Sequence, residues 1–358
     1  MGTFFLAFSA GLIILSILPF SKNQHWFFRV PEFLKIQLLS FQIIALLGMF
    51  VFSNKTSWFW LLAGTQTALI IYHIYILARF TKFYKTQDYG PKQAKTLKVI
   101  STNIYQYNQD FERFKTFIKK ENPDLFITIE SNSDWEKAMR DLEQSYPHTQ
   151  KITLENTYGM HLYSKLPFEK VNTHYFVAND IPSIEAHLKT KDGEDFVLFS
   201  VHPPPPSPTE EDTSKERDGD LLSIAKRVKE LNKPTMVIGD FNTVAWSKIA
   251  ALFRKNSGLI DGRTGRGILS TYHAKYWFFR APLDLVFHST TIFLKELKLL
   301  EHIGSDHFPI CCIFCVDSNA YSFTQKKEVE HISSEEKDET NALIQDGKDE
   351  INTNRMAP

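Results

Sequence analysis

MVIGDFNTVAW, Met236 to Trp246, is an apolar run that ends on two polar residues, Asp240 and Asn242, straddling Phe241. Asp and Asn both bond their own backbone and close strands readily, so a turn satisfies the local pattern by itself. In an extended stretch, next-but-one side chains share a face. Asp240 and Asn242 would then offer a carboxylate and an amide to a single small group, with Phe241 turned into the core. What neighbouring strands carry decides between turn and site.

Working outward, the pattern recurs. LKVISTNI from Leu97 is β-branched and apolar enough for a central strand reaching Asn103, and a helix over about Asp110 to Glu121 leads to DLFITIE, a strand ending at Glu130. VLFSVH ends at His202, and a helix over about Arg217 to Leu231 leads into MVIGD. LDLVFHS opens a strand with Asp284 near its start, and GSDHFPICCIFCV sets Asp306 and His307 in the turn before the last strand. Unrelated turns have no need of Glu, His and Asn at these particular ends.

The set TNI, PDLFITIE, SVH, GDFN, PLDLVF and GSDHFPI, in that order, resembles the endonuclease/exonuclease/phosphatase superfamily over roughly Leu97 to Val316. The resemblance implies an α/β (α+β) fold, a four-layered α/β sandwich with a metal site at one edge of two packed sheets. It also implies a hydrolase of phosphoric ester bonds, a phosphodiesterase, phosphatase or nuclease, that uses Mg²⁺ or Mn²⁺. A phosphoester repels nucleophiles and has a poor leaving oxygen; a hard divalent cation with oxygen ligands answers both. On this reading Glu130 is the main metal ligand, and Asn103 and Asp306 add oxygens directly or through water. Asp240 orients or deprotonates the attacking water, Asn242 holds water and phosphate, and His307 donates to a phosphoryl oxygen while Asp284 fixes its tautomer. His202 contacts the phosphate or assists the leaving oxygen; a structural histidine is the alternative. Tyr158, His161, Arg263, Arg266 and Arg280 are candidates to line a substrate groove, with ordinary surface positions as the alternative.

The region before this domain is different in kind. Phe4 to Phe20, Ile36 to Phe52 and Trp58 to Leu77 are free of Asp, Glu, Lys and Arg, and about 17 to 20 such residues cross a bilayer. Trp26, Trp58, Trp60, Tyr72 and Tyr75 lie mostly toward their ends, where an interface favours them. The expected organisation is three transmembrane helices within 1–80, a linker over 81–96 with a Gly90-Pro91 break, the catalytic domain over 97–316 and a disordered acidic tail over 317–358. The first run lacks the basic start and the small-residue cleavage site of a signal peptide. Three spans put the loop around Lys22, Arg29 and Lys35 on the same side as the domain.

That side also carries Arg79, Lys82, Lys85, Lys92, Lys95 and Lys98 against only Lys55 opposite, which favours a cytoplasmic domain. The spans and HPPPP after His202 are most similar to a membrane-anchored bacterial branch that includes a teicoplanin-resistance membrane protein, which implies a bacterial inner-membrane protein with an external site. Cys311, Cys312 and Cys315 crowd one strand with neither disulfide nor zinc spacing and read as packed thiols.

The chain holds 41 basic and 41 acidic residues. The folded region is near neutral or slightly acidic, so it lacks the basic footprint of a general nuclease. Membrane attachment brings the site to lipid head groups instead, and a phospholipid or polyprenyl phosphate is the favoured substrate. A Mg²⁺-dependent nuclease is second. A catalytically inactive membrane scaffold is the reading outside the enzymes, and it has no use for so complete a polar set. The sequence points to the bilayer and a phosphate-containing substrate as partners, and no protein partner is inferable from it.

Overall fold

The computed structural model of the chain describes residues 1–84, 88–320 and 322–350. Lys85 of the expected linker and the last eight residues of the expected tail thus lie outside the described residues. The chain begins with α1 (Gly2–Ile17), α2 (Trp26–Phe33), α3 (Lys35–Phe52) and α4 (Ser57–Ala78). Three stretches, Gly2–Phe20, Lys35–Phe52 and Ser57–Ala78, are long and apolar enough to cross a membrane. Ala45, Met49, Phe59 and Ala63 are buried in this bundle, whereas Leu47, Val51, Leu61 and Ile71 are exposed. An apolar outer surface of that kind suits lipid rather than water.

The domain follows as β1 (Leu97–Asn103), α5 (Phe111–Glu121), β2 (Leu125–Ile129), α6 (Ser133–Met139), β3 (His148–Ile152), β4 (Met160–Ser164), β5 (Phe168–His174), β6 (Ser183–Lys189) and β7 (Asp195–Val201). It continues as α7 (Lys215–Leu231), β8 (Thr235–Asp240), α8 (Lys248–Ser257), β9 (Ile260–Asp261), β10 (Asp284–His288), β11 (Ile292–Leu299) and β12 (Ile310–Val316). Two mixed sheets result, in the orders β11-β12-β1-β2-β4-β3 and β5-β6-β7-β8-β10-β9. Each has one parallel pair near its middle, β1 with β2 and β7 with β8.

Strand alternation builds the layers. Val99, Leu125, Ile127, Met236, Ile238 and Cys312 face the space between the sheets. Their neighbours Ile100, Phe126 and Cys311 face α5 and α6, and Val237 faces α7 and α8. The result is the expected four-layered sandwich, and all three cysteines are buried free thiols.

One expectation of the domain plan meets a different structure. The segment after Val316 is not a solvated tail: it forms α9 (Phe323–Lys327) and α10 (Ser334–Asp349). A capping box between Ser333 and Glu336 starts α10, and Ile344 enters the core beside α7 and α8. Its few apolar residues suffice because glycine lets the backbones meet. A Cβ added to Gly347 would lie 3.0 Å from the Cα of Gly219 on α7. Lys255 pairs with Glu336, Lys248 with Glu339 and Lys215 with Glu350.

The stretch between the bundle and β1 forms no helix or strand among its described residues and is held at several points. Phe80 belongs to the core of the second sheet, and Lys295 Nζ donates to the carbonyls of Tyr89 and Pro91.

Candidate active site

The polar strand ends converge. Asn103 ends β1 and Glu130 follows β2, while His202 follows β7 and Asp240 ends β8. Asp306 and His307 reach the same place from the turn before β12. With Asn242 and Tyr272 they line one cleft of about 470 Å³, a size fit for a small ligand.

Glu130 has a positive φ of 66°, in the left-handed region that non-glycine residues avoid. Its carboxylate accepts from Asn103 Nδ2 at 2.7 Å and from the Gln106 backbone N–H at 3.0 Å. Burial pushes its pKa up to about 7, with the two hydrogen bonds opposing. A carboxylate so crowded, with Asp306 beside it, is one that a nearby cation would return to the charged form.

Asp240 and Asn242 are both turn and site. Asp240 Oδ1 accepts from the Asn242 backbone N–H at 3.0 Å, and Asn242 has φ 48°. The strand therefore stops at Asp240, and the two side chains do not share one extended face as the sequence suggested. They nevertheless both reach the cleft, because Asn242 Nδ2 donates to the Pro203 carbonyl at 2.8 Å and is anchored on the facing loop. Arg217, fully buried, donates to the Asn242 carbonyl at 3.1 Å and fixes the turn from behind. The glycine before Asp240 is required: a Cβ on Gly239 would lie 2.1 Å from the Val201 carbonyl oxygen of β7.

His307 stands between two carboxylates. Its Nδ1 is 2.8 Å from Asp284 Oδ2 and its Nε2 is 3.5 Å from Asp240 Oδ2. Burial alone would depress its pKa, but Asp284 and Asp240 outweigh burial and raise it to about 10. His307 is therefore an imidazolium near neutral pH. Burial raises Asp240, and the His307 charge pulls it back. The ligand atoms of Asp240, Asp284 and His307 lie within 4.8 Å of one another, close enough to share a metal ion only if His307 were neutral. Asp284 is itself held by Thr271, whose hydroxyl accepts from its backbone N–H at 3.1 Å. His202 behaves oppositely to His307. Burial first, and then the His307 charge, lower its pKa to about 3. Its Nδ1 has no hydrogen-bond partner among the described residues.

The five candidates for the groove do not line it. Tyr158 is buried behind His202, ring to ring at 5.5 Å. His161 is buried on β4 with Nε2 3.0 Å from Thr153 Oγ1. Arg263 is buried and donates to the Asp284 carbonyl, so it supports the site from outside the cleft. Arg266 donates to the Gly262 and Leu294 carbonyls. Arg280 donates to the Ala274 carbonyl and lies over the Phe308 ring. Packing and local partners, which spacing along the chain does not reveal, keep all five out of the cleft lining.

Conversely, the cleft includes residues the sequence reading passed over: Thr157, Tyr272, and Trp26, Val30 and Phe33 of α2. The last three had a signal, the 26/30/33 spacing of one helical face.

Residues 100–307 match the model of the Endonuclease/Exonuclease/phosphatase family. The match spans more than half of the chain, and the protein belongs to that family; it is a hydrolase acting on phosphoric ester bonds. An endonuclease/exonuclease/phosphatase family protein from Bacteroides thetaiotaomicron is similar in structure, with TM-score 0.52, 19% identity, and coverage of 63% of this chain and 99% of its own. D. rerio TDP2 complexed with single strand DNA product has TM-score 0.52 and 17% identity over 62% of this chain and 99% of its own. The human Nocturnin catalytic domain with bound sulfate has TM-score 0.51 and 16% identity over 63% and 97%. At these identities the likeness concerns the fold. A search of the curated proteins returns no match.

Proposed function

We propose that the protein is a membrane-anchored, Mg²⁺-dependent phosphoesterase of the membrane-anchored bacterial branch, acting on the phosphate of a lipid or polyprenyl head group. The observation that carries this reading is the convergence of Asn103, Glu130, Asp240, Asp306 and His307 in one cleft, with Asp284 buried against His307. Glu130, Asn103 and Asp306 form an all-oxygen donor set that suits a hard cation. Both ring nitrogens of His307 already face carboxylates, which makes it a poor ligand and a good charge carrier. A divalent cation held by Glu130 and its neighbours would polarise a phosphoryl oxygen and acidify water; Mn²⁺ could replace Mg²⁺.

The side chains divide the remaining work. Asp240, hydrogen-bonded by the Asn242 N–H and raised by burial, accepts the proton of the attacking water. Asn242 fixes the geometry of that turn and contacts water or phosphate. His307 places positive charge where phosphoryl charge grows, and Asp284 holds its Nδ1 proton. His202, neutral through burial, is suited to contact a phosphate oxygen or to assist the leaving oxygen.

A nuclease is the second reading, favoured by the fold shared with the DNA-complexed TDP2. Nucleic acid needs Lys and Arg to meet its phosphates, and the residues lining the cleft include neither. That lining, together with the three apolar spans, supports the lipid reading. The full chain in lipid nanodiscs with Mg²⁺, assayed against a lipid-linked phosphate and single-stranded DNA, discriminates them. Preferred turnover of DNA contradicts the lipid assignment; turnover of neither contradicts the enzyme.

A further inference from the structure

The cleft has one wall that the family-matched residues do not supply. Trp26, Val30 and Phe33, on one face of α2, line it. α2 connects the first and second spans, so it sits where chain leaves and re-enters the apolar bundle. It is pinned to the domain at both ends. The Trp26 backbone N–H donates to the Asp212 carbonyl at 2.9 Å, the Ser214 N–H donates to the Gln24 carbonyl at 2.7 Å, and Trp246 Nε1 donates to the Glu32 carbonyl at 2.7 Å. Arg29, buried, is held by the Pro19, Ser21 and Asn23 carbonyls. The wall is therefore a fixed part of the site.

A second element leads from the cleft to the same boundary. Tyr272, which lines the cleft 5.0 Å from the His307 ring, pairs with Ala281 and closes the base of a loop. The tip of that loop is KYWFFR, Lys275 to Arg280. Tyr276, Trp277 and Phe279 are 60%, 76% and 56% exposed. Consecutive aromatics so exposed mark a surface meant for something other than water. The adjoining contact says what. Phe278 packs against Phe41 of α3, ring centroids 6.1 Å apart, and its carbonyl accepts from Gln37 Nε2. Phe41 is six residues into a span that begins at Lys35, about 9 Å along its axis at 1.5 Å per residue. That is the depth at which interfacial helices bury their apolar face, and the exposed Lys275 at the start of the loop tip suits anionic head groups.

Resting on the phosphoesterase reading above, we infer that α2 and the Lys275–Arg280 loop frame a lateral portal between the cleft and the leaflet: the loop tip is immersed in the bilayer, and the substrate reacts at its phosphate while its apolar tail stays in lipid along Val30 and Phe33. The occupant of the aromatic surface is the bilayer itself, by continuity with α3.

The test has two arms on the full chain in vesicles of phosphatidylcholine and phosphatidylglycerol. In the first, Trp277→Cys carries a polarity-sensitive fluorophore; the three native cysteines are buried. Blue-shifted emission quenched by nitroxide-labelled lipid is expected, and water-like, unquenched emission overturns the immersed loop whatever the enzyme does. In the second, a Trp277→Ser/Phe279→Ser double variant, checked for folding by thermal melt, is compared with wild type on a long-chain lipid phosphate ester in vesicles and on a water-soluble nitrophenyl phosphate ester. We expect a loss of about tenfold or more on the lipid, mostly in KM, with the soluble ester unchanged. Equal effects on both esters, or none, overturn the portal. Failure of wild type to hydrolyse either ester refutes the phosphoesterase reading, and with it the substrate's passage, while the fluorescence still reports on the loop.

Discussion

The two sheets differ in what they bring to the cleft and in what covers their backs. The first contributes Asn103 and Glu130, oxygen and amide groups suited to hold a cation, and, from the turn before β12, Asp306 and His307; the second contributes His202 and Asp240, with Asp284 buried against His307. Behind the first lie the short helices α5 and α6, with Phe114, Phe117 and Trp135 buried among them. Behind the second lie α7 and α8, and the same core includes Leu77 and Phe80 from the end of the membrane bundle and Ile344 from α10. Segments on either side of the family-matched residues thus pack into the helical back of the second sheet, whereas the helical back of the first is built from α5 and α6.

The largest effects are expected where the sheets meet. Asp240→Asn removes the proposed base and keeps the shape, so turnover should fall ~10²–10⁴-fold with KM little changed and the fold intact. Glu130→Gln, on the other sheet, should weaken metal affinity and be partly rescued by raised Mg²⁺, which should do nothing for Asp240→Asn. If steady-state kinetics over a Mg²⁺ series show both rescued or neither, the division of labour is wrong.

Next comes the asymmetry of the backs. Phe80→Ala opens a cavity in the second-sheet core and should cost about 3–5 kcal/mol, although Phe80 lies before the domain begins. Phe117→Ala should cost a similar amount from the first-sheet side. A denaturant melt in which Phe80→Ala is neutral would detach the bundle from the domain. A smaller loss, about 2 kcal/mol or more, is expected on removing α10, from exposure of Ile344 and the α7 surface beneath it; an unchanged Tm for a chain ending at 320 would show that α10 adds nothing.

The smallest effect concerns the far face of the second sheet. Glu185 is buried and accepts from Arg227, His187 and His174, and these bonds outweigh burial to hold its pKa at about 2. A folded pKa below the unfolded one contributes stability above about 4.5 that is lost as pH falls toward 2. The Tm gap between wild type and Glu185→Gln should therefore be full at neutral pH and close between about pH 4.5 and 2. A gap independent of pH would mean that the charge contributes nothing.

How much of this was readable beforehand follows from what each motif constrains. GDFN and GSDHFPI combine a residue that chemistry needs with a backbone that packing needs; Gly239, pressed against Val201, shows the second requirement. Apolar strands ending in such motifs lead to the cleft that these polar ends line. The arginines failed because residue type says nothing about which carbonyl captures a guanidinium, as Asp284 does for Arg263. The tail was misread because α10 is held by a capping box, a glycine-to-glycine approach and three ion pairs rather than by apolar residues in number. The face of Trp26, Val30 and Phe33 was visible as a helical stripe. What it packs against depends on contacts with Asp212, Ser214 and Trp246, far along the chain.

Turnover of a lipid-linked phosphate by the full chain in nanodiscs, after exhaustive chelation and again after adding Mg²⁺ back, shows whether a cation held by the Glu130 oxygens drives phosphoester hydrolysis in this cleft. Activity should disappear on chelation and return with Mg²⁺ or Mn²⁺; full activity in the chelated protein would mean that no cation takes part.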